Sequence, residues 1–111
     1  ATYSLSDANI DNTRWNYYRM SPEGHNTLTV NPFSPKTPNL DRTVLERRAM
    51  SNDVSFAISN FTATFAPAVS SWRRGIMLFD ARQQVLVQDE LTASSPTQVM
   101  WSMHTPAEVQ V

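Results

Sequence analysis

Residues 14–31, RWNYYRMSPEGHNTLTVN, decide how this chain is read. Ser21-Pro22-Glu23-Gly24 divides the stretch. Proline presets a turn dihedral and glycine permits a left-handed one, so the tetrapeptide predicts a loop. Before it, Trp15, Tyr17 and Arg19 alternate with Asn16, Tyr18 and Met20. After it, Leu28 and Val30 alternate with Thr27, Thr29 and Asn31, with His25 where the return strand begins. Two period-2 runs joined by a turn predict an antiparallel hairpin that presents His25 on its polar face.

The rest of the chain extends that pattern. Residues 1–12 are polar and unpatterned and read as a loose leading segment. Asn31–Asn39 contains three prolines, which remove backbone donors and make a loop. Periodicity leaves Arg42–Met50 open between a strand and a helical turn. The neighbouring strands and the Asn52-Asp53 turn favour a strand. Val54, Phe56 and Ile58 alternate, and Phe61, Ala63 and Phe65 alternate in the opposite phase. A slip near Ser59-Asn60 therefore marks either a β-bulge or a break between strands.

Trp72–Phe79 predicts a strand, Asp80–Gln83 its turn, and Val85–Glu90 the return, stopping at Ser94-Ser95-Pro96. Thr97–His104 places Val99, Trp101 and Met103 on one face, and Glu108–Val111 starts a last strand. No convincing amphipathic helix is present. The expected fold class is all-β, an antiparallel β-sandwich of seven or eight short strands, with residues 1–111 forming a single domain or part of one.

Bulk composition limits the function. A chain of 111 residues with 41% hydrophobic and 17% charged content can pack one small core. The net charge of −1 and the absence of a basic run give no case for nucleic acid. Positive charge is almost all arginine, against the single Lys36, which suits bidentate carboxylate recognition. With no cysteine, disulfide and thiolate chemistry are excluded. No run of about 20 apolar residues spans a membrane. The start, ATYSLSDANIDN, has neither the basic region nor the apolar core of a signal peptide. The first residue is not Met, and the last three, Val109-Gln110-Val111, read as a strand in mid-course. The expectation is a fragment of a longer protein.

Individual residues carry modest chemical signals. A zinc site needs three or four ligands, and neither HxH nor HExxH is present, so His25 and His104 do not define one by spacing. His104 falls on the wetter face of its strand. Tyr17 and Tyr18 point to opposite faces, so one is expected in the core and the other exposed, free to stack on a sugar ring. Trp72 is a second candidate for an exposed aromatic. Arg47-Arg48 and Arg73-Arg74 each put one guanidinium on either face of a strand, with a solvated face as the default. Asp89 and Glu90 diverge across a strand and share no site. Asn60-Phe61-Thr62 matches a glycosylation sequon but lies in an apolar strand.

Three ordered stretches add a sharper reading: RWNYYRM…EGHNTLTVNP, RRGIMLFDARQQVLVQDEL and VMWSMHTPAEV. Together they resemble the C-terminal β-sandwich portion of heparinase II/III-like polysaccharide lyases, from Arg14 to the end of the chain. The resemblance implies a larger protein in which an α/α toroid precedes β-sheets, periplasmic or secreted in bacteria. Its implied activity is β-elimination on uronic-acid-containing polysaccharides such as alginate or glycosaminoglycans. It also implies that His25, in the His-Asn-Thr motif, is one ligand of a zinc ion whose other ligands lie outside this chain. The catalytic tyrosine and histidine of the toroid are not in this sequence, so no catalytic residue is assigned here. Tyr17, Tyr18 and Arg14 are the expected contacts to an acidic polysaccharide, and exposed sheet edges would allow a homodimer. The alternative is a non-catalytic carbohydrate-binding or structural β-sandwich module, as the exposed aromatics suggest.

Overall fold

The computed structural model describes residues 17–32 and 43–110. These form an all-β structure with two antiparallel sheets and, among the described residues, no α-helix. The chain divides into two compact units, Ala1–Pro38 with Gln98–Val111, and Asn39–Thr97.

In the first unit the expected hairpin does not form. Tyr17–Met20 is a turn, closed by the Met20 N–H donating to Tyr17 O at 2.8 Å. A 3-10 turn, Pro22–Gly24, follows, and the His25 N–H donates to Pro22 O at 3.1 Å. These local bonds take up the amides that a ladder would need, and Pro22 has none to give. Gly24 does not adopt a positive φ. Its role is close approach: a Cβ there would lie 2.1 Å from the Tyr18 carbonyl oxygen.

Strand β1, Leu28–Val30, finds its partner far along the chain. It pairs antiparallel with β6, Val99–Trp101, in the register Leu28↔Trp101, Thr29↔Met100, Val30↔Val99. Ser102 N–H to Thr27 O and Asn31 N–H to Gln98 O extend the ribbon at its two ends. All three β1 residues are buried, and among the described residues the Thr29 hydroxyl has no hydrogen-bond partner. Residues 102–110 carry no strand, so the expected strands over Thr97–His104 and Glu108–Val111 shrink to β6.

The second unit is a four-stranded meander in the order β2 (Val44–Met50), β3 (Ser55–Asn60), β4 (Val69–Phe79), β5 (Gln84–Ala93). The open choice over Arg42–Met50 thus resolves to a strand. Its turn falls where Asn52-Asp53 marks it, with the Ser51 side chain bridging to Val54 O and N at 2.6 and 3.0 Å. The phase slip at Ser59-Asn60 is a break. Asn60 Oδ1 accepts from the Thr62 N–H at 2.9 Å, and Thr62–Phe65 winds into a 3-10 turn. A side chain competing for backbone donors ends the strand. Register shifts lie instead in β2, at Glu46 between Leu45 and Arg47, and in β4, at Ser70 between Val69 and Ser71.

The core of this unit forms around Trp72, which is 1% exposed. Phe61 and Phe65 stack against it at centroid distances of 4.9 and 5.4 Å. Trp72 is thus a core residue and not the surface aromatic expected from its sequence context. The 3-10 turn brings both phenylalanines over it, which alternation in an extended strand could not do.

The β4–β5 connection, residues 80–83, carries positive φ at three successive residues, Asp80, Ala81 and Arg82 (52°, 50° and 68°). In that left-handed region alanine is disfavoured and asparagine is tolerated. Ala81→Asn should raise stability by about 0.5–1 kcal/mol, read as a higher urea midpoint at unchanged slope. A lower midpoint would show that the loop is held in place by its side chains and not by its backbone.

Candidate functional site

The turn at Tyr17–Met20 exposes both tyrosines, Tyr17 at 51% and Tyr18 at 62%. The expectation of one buried and one exposed ring fails because the segment is not a strand and has no opposite faces. Tyr18 is nevertheless fixed in place. Its hydroxyl lies 2.5 Å from His104 Nε2, and the two rings meet edge to face. The other His104 ring nitrogen, Nδ1, is 3.2 Å from Asn26 Oδ1, and the His104 backbone N–H donates to that same oxygen at 2.7 Å. Three residues from the turn, the loop after Gly24 and the segment after β6 thereby converge in one exposed cluster. His104, expected on the wetter face of a strand, is exposed but lies past the end of β6 and so on no strand face. Spacing could not bring His104 to Tyr18, since they are 86 positions apart.

His25, the expected zinc ligand, is exposed. Among the described residues no group of three or more His, Cys, Asp or Glu could hold a metal ion. The described residues therefore do not fit a zinc site of their own. Arg14 lies outside the described residues.

The second unit has two polar features of its own. Arg74, expected on a solvated face, is buried opposite Asp89 on β4 and β5. The pair is bidentate, Nε to Oδ1 at 2.8 Å and Nη2 to Oδ2 at 2.7 Å, and Trp72 Nε1 donates to the same Oδ1 at 2.8 Å. On the other face Glu46 accepts from Arg73 Nε and Asn60 Nδ2, each at 2.8 Å. The Arg73 hydrogen bond, with that of Asn60 behind it, holds the Glu46 carboxyl below its ordinary value. Its contribution to stability is present at neutral pH and fades as acid carries the solution through that lowered value. Beside Arg73, the missing side chain of Gly75 leaves a trough of about 320 Å³ walled by Phe56, Ile58, Met77 and Leu86. No described helix is long and apolar enough to cross a membrane.

The described residues are antiparallel all-β, with a solvent-facing tyrosine–histidine cluster in the first unit. The sequence profile described as "Heparinase II/III-like, C-terminal" matches residues 2–111. The chain belongs to that family. No curated protein and no solved structure matches it.

Proposed function

We propose that this chain is the C-terminal β portion of a polysaccharide lyase acting on uronic-acid-containing polysaccharide by β-elimination, and that it does not turn over substrate alone. The family match over residues 2–111 supports this reading. In such a reaction a base removes the C5 proton, the carboxylate charge is neutralised, and an acid protonates the departing oxygen. Tyr17, Tyr18 and Arg14 are assigned to holding the acidic polysaccharide. The exposure of both tyrosines supports that role for them, and it equally favours the second reading, a non-catalytic carbohydrate-binding module.

Incubation of the chain with heparan sulfate and alginate should give no rise in the absorbance of unsaturated uronate, while the chain is retarded in a gel containing alginate. Turnover by the chain alone would refute the assigned division of labour. Retardation without any lyase activity in a longer polypeptide carrying the chain would favour the binding-module reading.

His25 is assigned as one zinc ligand of the larger protein, the others lying outside this chain. By itself the chain should take up zinc weakly. Tight one-to-one uptake in a calorimetric titration, abolished by His25→Ala, would contradict that assignment. Self-association is assigned to the β5 edge. The opposite edge, β2, is interrupted by its bulge and carries Arg47 and Arg48, devices that discourage strand addition.

A further inference from the structure

We propose that Tyr18, positioned by His104 and Asn26, is a saccharide subsite whose ring stacks on a pyranose and whose oxygen accepts a hydrogen bond from a ring hydroxyl, not from the uronate carboxyl group. The inference rests on the saccharide-holding role assigned above and specifies which group of the sugar is read.

The His104 backbone N–H donates to Asn26 Oδ1, so that atom is the amide oxygen and acts as an acceptor. The Nδ1 atom facing the same oxygen must therefore carry a hydrogen. In the neutral ring Nε2 is then the lone pair, and the Tyr18 hydroxyl beside it is the donor. A phenol has one hydrogen. Because it is directed to His104, the oxygen offers only lone pairs to solvent. An ionised carboxylate is also acceptor-only and cannot pair with it, whereas a sugar hydroxyl can donate.

The same bonds pre-position the ring. Tyr18 is 62% exposed, yet held at its hydroxyl end from a segment remote in sequence. A ring already fixed loses little freedom when a ligand stacks on it. An aromatic face with a polar tip suits a pyranose, which has an apolar face and a rim of hydroxyls.

The test uses this chain with two probes, a mannuronate trisaccharide and its carboxyl-reduced counterpart, titrated by NMR. Tyr18→Phe, which keeps the ring and removes the acceptor, should weaken both probes by the same factor, about 3- to 10-fold. His104→Phe should weaken both similarly. His104→Gln, whose side-chain oxygen still accepts from the phenol, should restore most of the affinity. Nitrogen-15 shifts of His104 should report hydrogen on Nδ1 in the parent chain and a move toward Nε2 in Asn26→Ala.

A loss in Tyr18→Phe confined to the carboxylated probe would overturn the hydroxyl assignment. Unchanged affinity in His104→Phe, or a parent ring protonated on Nε2, would overturn the positioning role. Failure of both probes to bind the parent chain at millimolar concentration, with Nδ1 still protonated, would overturn the subsite through the saccharide-holding role itself.

Discussion

Asp89→Ala should cost the Asn39–Thr97 unit about 3–5 kcal/mol, the largest loss expected from a single polar substitution among the described residues. Arg74 and Asp89 are cross-strand partners with side chains only 10% and 7% exposed. Removing the carboxylate takes both bidentate bonds from a guanidinium that is largely shielded from water. It also removes the acceptor for the Trp72 indole N–H. The combined change Arg74→Met with Asp89→Leu should be milder, because no charge is then left buried. Its remaining loss is about 1–3 kcal/mol for the unpaired indole donor. Urea unfolding and amide exchange along β3–β5 would read both. If Asp89→Ala and the double change cost the same, the buried charge is not the dominant effect.

Trp72→Ala should destabilise the same unit by about 3–5 kcal/mol, through lost burial and the cavity left between Phe61 and Phe65. Trp72→Phe separates the contributions. It keeps most of the apolar contact and loses the hydrogen bond to Asp89, so it should cost about 1–2 kcal/mol. A loss for Trp72→Phe as large as that for Trp72→Ala would assign the stability to the indole hydrogen bond instead of the aromatic cluster.

Both effects arise at residues whose roles the sequence did not disclose. Period-2 alternation located β3, β4, β5 and the turns between β2 and β3 and between β4 and β5, because each strand there pairs with its neighbour in sequence. It failed at residues 14–31, where polar turn chemistry outweighed alternation and β1 paired with β6. Nothing local marks that choice, since the partner lies some 70 residues away. The antiparallel all-β class was legible from the same alternation. The identity of the core aromatic was not, because Trp72 is covered by a 3-10 turn whose phenylalanines read as strand residues.

The site divides along the same line. Tyr17, Tyr18 and His25 were singled out from residue type, and all three are exposed. The joining of Tyr18 to His104 depends on the tertiary path and could not be found by spacing. The Arg74–Asp89 pair was concealed by the usual preference of charged strand residues for solvent, which a good bidentate partner reverses.

The most direct measurement of the proposed function is made on a longer polypeptide that contains this chain. It would be incubated with alginate and heparan sulfate, and the absorbance of the unsaturated uronate followed beside that of this chain alone. Product is expected from the longer polypeptide and none from the chain. Product from the chain alone, or none from the longer polypeptide with any uronate polysaccharide, would contradict the proposed function.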